Sequence, residues 1–136
     1  DREETMSDPL AGRHRVPAVL VVDDDDGVRL VTRRALEEGG YQVWEAADGV
    51  QALGFLLRGV VDVIISDIRM PRMDGWELAA YLRNMTPAPP VLFISGYDAH
   101  IGNGNLPGPV LAKPFRAEQL LAAVQRLLRA HQPRSA

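Results

Sequence analysis

Short apolar runs alternate with amphipathic stretches along most of this chain, and this alternation restricts the fold more than any other feature. The runs cover residues 18–22, 42–45, 61–66, 91–95 and 109–112. The third and fourth runs are nearly continuous Val, Ile, Leu and Phe, which is typical of strands buried on both faces. Amphipathic stretches between such strands form crossover helices. The pattern therefore predicts an α/β fold, with a parallel sheet and helices on both of its faces.

Polar residues and glycines mark where the helices begin and end. Asp26 is the expected cap of the first helix, and Gly39 with Gly40 ends it. The spacing of a capping box, in which two side chains pair with free backbone N–H groups, occurs at Asp48 with Gln51 and at Asp74 with Glu77. These signals predict helices after the first, second and third strands.

One stretch breaks the alternation. Residues 97–110 are rich in Gly, Asn and Pro and show no amphipathic repeat, so the helix between the fourth and fifth strands is expected to be short or missing. Residues 1–15 and 132–136 are polar and without period, which is typical of tails or linkers. A single domain is therefore expected over residues 16–131.

Composition excludes several classes of protein. The chain has no cysteine, which removes disulfides, thiol nucleophiles and Cys-ligated zinc. A formal net charge of -3 gives no electrostatic reason to expect nucleic acid or an anionic membrane as a partner. No apolar run approaches the length of a membrane span, and the first residues lack a secretion signal. We therefore expect a soluble, cytoplasmic protein without nucleic-acid binding or membrane insertion.

Reactive side chains follow four of the five predicted strands. Functional sites in an open parallel sheet form beyond the carboxyl ends of the strands. Asp23 and Asp24 follow the first strand, and Asp67 follows the third. Ser95 ends the fourth strand, and Lys113, the only lysine among 15 basic residues, follows the fifth. The sequence therefore predicts that carboxylates, a hydroxyl and an ammonium meet at one edge of the sheet.

This predicted cluster of three carboxylates requires a counter-charge. Mutual repulsion of Asp23, Asp24 and Asp67 would raise a pKa or demand a cation. Carboxylate and water oxygens suit Mg²⁺, and the ion together with Lys113 balances the three negative charges. Asp67 would then stay ionised and could attack a phosphoryl group, whose oxygens the ion, Lys113 and Ser95 would stabilise.

Four motifs, in the order of these strands, carry a resemblance to a known family. They are VLVVDD at residues 19–24, IISDIRMPRMDG at 64–75, SG at 95–96 and KPF at 113–115. Together they resemble the receiver domain of bacterial two-component response regulators, over residues 16–130. The resemblance implies a flavodoxin-like (βα)5 fold, with a central five-stranded parallel sheet in the strand order 2-1-3-4-5.

The resemblance also implies a phosphoacceptor and a metal site. In that family the residue at the position of Asp67 accepts phosphate from a phosphohistidine. The residues at the positions of Asp23 and Asp24 hold Mg²⁺ together with that aspartate and the backbone carbonyl at the position of Arg69. We therefore expect Mg²⁺ as the cofactor of this chain.

Two further positions match the switch elements of the family. Ser95 matches the switch hydroxyl, and Lys113 matches the phosphate-binding ammonium, with a cis bond to Pro114 implied. The chain departs from the family at Val110, where many receivers have an aromatic residue whose rotation reports phosphorylation. With the short fourth helix, this departure leaves open how the switch is transmitted.

The resemblance implies a signalling switch rather than a metabolic enzyme, one that catalyses only its own phosphorylation and slow dephosphorylation. The expected partners are a sensor histidine kinase or a histidine phosphotransfer domain, and a downstream protein, with a homodimer as a further option. The SGY run at residues 95–97 and the segment 108–115 are most similar to receivers of hybrid histidine kinases and to single-domain receivers. We expect either a stand-alone receiver or one domain of a longer chain.

Two alternative functions stay open at this point. Residues 24–28, DDDGV, copy the first motif of haloacid-dehalogenase-like phosphatases, with Asp24 as nucleophile and Asp26 as acid and base. Those enzymes need an acidic pair after their lysine, and the only carboxylate side chain after Lys113 is Glu118. The second alternative is a receiver-like interaction module that is never phosphorylated.

Overall fold

The computed structural model describes residues 16–69, 75–85, 87–96 and 108–131. The elements in chain order are β1 Ala18–Val22, α1 Asp26–Glu38, β2 Gln42–Ala46, α2 Gly49–Leu57, β3 Val63–Asp67, α3 Gly75–Leu82, β4 Val91–Ser95, β5 Val110–Ala112 and α4 Ala117–Ala130. The expected tails, the cap at Asp74 and the stretch 97–107, in which a short or missing helix was expected, lie outside the described residues.

The five strands form one parallel sheet in the order β2-β1-β3-β4-β5, which confirms the expected order. The strands can pair in parallel because a helix between two strands carries the chain back to the edge of the sheet at which the first strand began. All five carboxyl ends therefore lie at one edge of the sheet.

Apolar side chains cover both faces of the sheet, as the near-continuous apolar runs predict. One cluster joins alternate residues of the central strands, such as Leu20 and Ile64, to α2 and α3. The other joins the remaining alternate residues, such as Val19 and Ile65, to α1 and α4. Because successive strand residues point to opposite faces, both sides of β1 and β3 are buried. These two layers fix the position of the sheet edge on which the candidate site lies.

The strand boundaries agree with the sequence prediction to within two residues. β3 begins at Val63 rather than Val61, because Asp62 makes a polar link at the start of the sheet. Its N–H donates to the Ala18 carbonyl at 2.8 Å, and its carboxylate accepts from the Ala18 N–H at 2.7 Å. β3 also runs to Asp67, so the predicted nucleophile is the last residue of the strand.

The cap of α1 differs by one residue from the expectation. Asp25, not Asp26, is the N-cap, and its Oδ1 accepts from the N–H groups of Gly27 at 2.9 Å and Val28 at 3.1 Å. All four aspartates of this run are suitable caps by residue type. The choice follows from the turn after β1, in which Asp25 N–H donates to Asp23 Oδ1 at 2.9 Å.

Two other helix ends, the start of α2 and the end of α1, follow the sequence signals. Asp48 Oδ1 accepts from the Gln51 N–H at 2.9 Å at the start of α2. At the end of α1, Gly40 has a φ of 97°, a conformation that glycine adopts without a steric cost. Among the helices of the described ranges, none has the length and apolar character needed to cross a membrane.

Candidate functional site

The carboxyl edge of the sheet brings the predicted carboxylates together. One oxygen from each of Asp23, Asp24 and Asp67 lies within 4.8 Å of the others. Asp23 and Asp24 belong to the turn between β1 and α1, whereas Asp67 ends the neighbouring strand β3. Residues that are 43 positions apart in the sequence therefore form one acidic cluster, because their strands are adjacent and parallel.

Lys113 lies against this cluster. Its Nζ is 3.2 Å from Asp67 Oδ2 and 3.8 Å from Asp23 Oδ2. The Lys113 N–H donates to the Ser95 carbonyl at 2.8 Å, which fixes the backbone of Lys113 beside β4. The bond between Lys113 and Pro114 is cis, as the resemblance implies.

Both carboxylate oxygens of Asp67 accept hydrogen bonds. Oδ2 accepts from Lys113 Nζ, and Oδ1 accepts from the Arg69 N–H at 3.2 Å. The Ile68 N–H donates to the Ile94 carbonyl at 3.1 Å, which ties the chain after β3 to β4. Asp67 is therefore oriented from two sides, and its side chain keeps 13% exposure towards solvent.

Asp23 is the most buried member of the cluster, with 4% exposure, whereas Asp24 is exposed. Burial raises the pKa of Asp23 most, and the hydrogen bond from the Asp25 N–H opposes this rise. The charges of Asp67 and Asp24 raise the pKa further, while Lys113 lowers it. Burial and the neighbouring carboxylates together outweigh Lys113 and the hydrogen bond, so a bound cation would favour the ionised form of Asp23.

Ser95 lies at the same sheet edge, at the end of β4, and it is buried, with 6% exposure. It pairs in register with Ala112, the residue before Lys113. Arg69 follows Asp67 by two residues and is exposed. The structure thus assembles Asp23, Asp24, Asp67 and Lys113 directly, and it places Ser95 and Arg69 beside them through the backbone.

Sequence reasoning missed a second set of polar side chains beside the cluster. Arg29 of α1 donates to the Asp23 carbonyl at 2.5 Å and to Glu45 Oε1 of β2 at 2.9 Å. Arg33, one turn later, donates to Glu45 Oε2 at 2.5 Å. The only signal in the sequence is that the two arginines are four residues apart, which places them on one helix face. Their shared partner on β2 cannot be read from that spacing.

Comparison with known proteins gives a consistent result. A family model described as response regulator receiver domain matches residues 19–125. The sensor kinase CckA of Brucella abortus is 43% identical over 116 residues, which cover 81% of this chain and 12% of that protein. The response regulator MprA of Mycobacterium sp. strain KMS is 39% identical over 119 residues, covering 85% of this chain and 52% of that protein.

Solved structures agree with the sequence relatives. A response regulator receiver protein from Sinorhizobium medicae superposes with a TM-score of 0.76 and is 32% identical. The match covers 85% of this chain and 97% of that one. The chain therefore spans nearly all of a solved receiver, but only an eighth to a half of the two curated relatives described above.

Proposed function

Because the chain belongs to the response regulator receiver domain family, we propose that it accepts a phosphoryl group on Asp67 and thereby switches its binding to a partner protein. The observation that supports this proposal most is that hydrogen bonds to both carboxylate oxygens hold Asp67 in one orientation. One carboxylate oxygen faces the Lys113 ammonium at 3.2 Å, and the residue also contributes to the acidic cluster. A carboxylate held in this way is prepared for attack on phosphorus.

Receiver domains bind Mg²⁺ at an acidic cluster, and the donor set of this chain fits that ion. Each of the three carboxylates offers an oxygen within 4.8 Å of the others, and carboxylate oxygens with water are the ligands that Mg²⁺ prefers. We propose that Asp23, Asp24, Asp67 and the backbone carbonyl of Arg69 hold the ion, with water as the remaining ligands. When bound, Mg²⁺ neutralises charge on the cluster and on the phosphoryl oxygens.

The proposed transfer balances without a further reagent. An Asp67 oxygen forms a bond to phosphorus, while the bond from phosphorus to the histidine nitrogen of the donor breaks. The donor ring, protonated on its other nitrogen, leaves as neutral imidazole with that electron pair, and Asp67 becomes an acyl phosphate. Lys113 supplies positive charge to the new phosphoryl oxygens, and Ser95 donates a hydrogen bond to one of them. Hydrolysis of the acyl phosphate by water returns the switch to its first state.

The proposed donors are a sensor histidine kinase or a histidine phosphotransfer domain in the cytoplasm. The proposed output is contact with a downstream protein or a second copy of the chain. Val110, on β5, is 51% exposed and occupies the position where many receivers carry an aromatic switch. We therefore propose that phosphorylation is transmitted by groups other than an aromatic ring at this position.

Phosphate incorporation tests the proposal directly. The protein is incubated with acetyl phosphate and Mg²⁺, the acyl phosphate is reduced with tritiated borohydride, which releases phosphate and leaves the label on the former aspartate, and the labelled peptide is sequenced. We expect label on Asp67 and a loss of label of at least about 100-fold in Asp67→Asn, because the amide is not a nucleophile. Asp25→Asn is the matched control: Asn caps a helix as well as Asp does, so labelling should be unchanged.

The same experiment separates the alternative functions. Label on Asp24 would support the phosphatase interpretation, in which Asp26 serves as acid and base. In the structure Asp26 pairs with Arg29 at 2.5 Å, which favours the receiver interpretation. Absence of label from a folded protein would support the interaction module that is never phosphorylated.

A further inference from the structure

Arg29 makes three contacts that no part of the proposed phosphotransfer explains. Its Nη1 donates to the backbone carbonyl of Asp23 at 2.5 Å. Its Nη2 donates to Asp26 Oδ1 at 2.5 Å, and its Nε donates to Glu45 Oε1 at 2.9 Å. The Arg29 side chain is only 15% exposed, and its bonds to Asp23 and Glu45 are partly buried, whereas its partner Asp26 is exposed. One guanidinium therefore joins the start of the β1–α1 turn, the first residue of α1 and the neighbouring strand β2.

The β1–α1 turn, residues 23–25, is tied to α1 at its end by the capping bonds of Asp25 and to β2 at its start by Asp23. The Asp23 N–H donates to the Ala46 carbonyl of β2 at 3.1 Å, and Asp25 N–H donates to Asp23 Oδ1. The Asp23 carbonyl faces Arg29. The backbone N–H of Asp23 is thus bonded to β2, and its backbone carbonyl is bonded to α1. Asp24 is the next residue of the same turn.

From this geometry we propose that Arg29 is a positioning residue for divalent-cation binding. It holds the turn so that the carboxylates of Asp23 and Asp24 face the carboxylate of Asp67. The inference rests on the Mg²⁺ site of the proposed function, and it assigns to Arg29 a part in forming that site without direct contact with the ion. Partners that orient a ligand residue commonly affect metal affinity by about 10- to 100-fold.

Charge and position predict opposite results when Arg29 is replaced. A positive charge near a cation site weakens binding, so its removal alone would strengthen Mg²⁺ binding. Loss of the three bonds would let the turn move and would weaken binding. The sign of the change in the dissociation constant therefore separates a positioning role from simple electrostatics.

Arg33 provides a matched control on the same helix face. It donates to Glu45 Oε2 at 2.5 Å and to Glu37 Oε2 at 3.0 Å, so it shares the acceptor residue of Arg29. Both bonds go to side chains outside the turn. Replacing Arg33 therefore disturbs the ion-pair network and removes one positive charge, but it leaves the Asp23 carbonyl with its donor.

Calorimetric titration with MgCl2 tests the inference on the whole chain, with folding of each variant checked by circular dichroism. Arg29→Lys keeps the charge, and Arg29→Met removes both charge and bonds. We expect both to weaken Mg²⁺ binding about tenfold, and Arg33→Met to change it less than about twofold. Should Arg29→Met fail to fold, the comparison of Arg29→Lys with Arg33→Met decides the question.

Three results would overturn the positioning role. They are wild-type affinity in Arg29→Lys, tighter binding in Arg29→Met, and equal weakening in Arg33→Met. A wild-type protein that does not bind Mg²⁺ would refute the proposed metal site and the inference together. A wild type that binds Mg²⁺, beside Arg29 variants that bind it equally well, would refute the inference alone.

Discussion

Replacing Asp23 by Asn should stabilise the metal-free protein, although it removes a proposed ligand of Mg²⁺. The side chain is 4% exposed, and burial is the largest cause of its raised pKa. Asn keeps the size of the side chain and the oxygen that accepts the Asp25 N–H at 2.9 Å. The substitution therefore removes a buried charge and preserves the local geometry.

The distances give the expected size of the effect. At an effective dielectric constant of about 20, two unit charges no more than 4.8 Å apart interact by at least about 3.5 kcal/mol. Asp67 and Asp24 therefore each repel Asp23 by at least about this amount before screening. Lys113 Nζ, at 3.8 Å, attracts it by about 4.4 kcal/mol. Because Asp24 is exposed, its repulsion is reduced by solvent. We expect Asp23→Asn to raise the free energy of unfolding by about 1–2 kcal/mol, and the melting temperature by about 4–8 °C.

The effect of Asp23→Asn on stability should depend on pH. The pKa of Asp23 is raised in the folded protein, so the wild type loses stability as pH rises from the ordinary value of 3.8 through the raised value. The Asn variant lacks this loss, and the difference between the two proteins should therefore grow from acid to neutral pH. Saturating Mg²⁺ should reverse the order at neutral pH, because it binds the wild type more tightly.

Thermal unfolding followed by circular dichroism, with EDTA and then with Mg²⁺, measures both effects. Asp25→Asn is the control: its side chain is exposed, and its capping bonds suit Asn equally well, so its melting temperature should stay near that of the wild type. A melting temperature of Asp23→Asn in EDTA at neutral pH that is equal to or below that of the wild type would refute the reasoning.

Three further predictions concern other parts of the molecule. Lys113→Arg should keep the fold but reduce the amide chemical-shift changes on phosphorylation, because a planar guanidinium replaces a compact ammonium; changes of wild-type size would show that charge alone suffices. Burial raises the pKa of Glu45, but hydrogen bonds from Arg33 and Arg29 outweigh it and lower the pKa below 4.5. Glu45→Gln should therefore lower the free energy of unfolding, measured in urea at neutral pH, by about 1 kcal/mol. This loss should vanish as pH falls through that lowered pKa, and a loss that persists there would contradict the ion pair. A Cβ on Gly108 would lie 2.1 Å from the Val91 carbonyl oxygen, so Gly108→Ala should destabilise by about 2 kcal/mol, whereas Gly54→Ala, in open space, should not; equal unfolding midpoints would contradict this packing.

The sheet and the candidate cluster could be predicted because each depends on a strong local signal. Apolar runs marked the strands, and the residues directly after them marked the sheet edge. Once the strands were parallel, their carboxyl ends had to lie at one edge of the sheet, and the strand order that the resemblance implies brought Asp23, Asp67 and Lys113 near each other. Long-range proximity was therefore a consequence of fold class and did not require knowledge of any single contact.

The cap of α1 and the role of Arg29 could not be predicted, for a common physical reason. By residue type, each of the four consecutive aspartates could cap the helix equally well. Asp25 is the cap because the turn before it is bonded to Ala46 of β2. Arg29 has a local partner in Asp26, but its bonds to Glu45 and to the Asp23 carbonyl depend on how α1 packs against β2. Spacing along one helix contains no information on that packing.

Asp23 is the position at which stability and the proposed function oppose each other. It follows five buried strand residues directly and is itself buried, so burial alone would favour a neutral side chain there. The protein instead places a carboxylate with a raised pKa at this position, bonded through its backbone to β2 and to α1. A charge that destabilises the metal-free fold is consistent with a site that gains stability when a cation binds. The charged residue at the end of an apolar strand was therefore a functional signal in the sequence, because burial of the strand end does not favour a charge there.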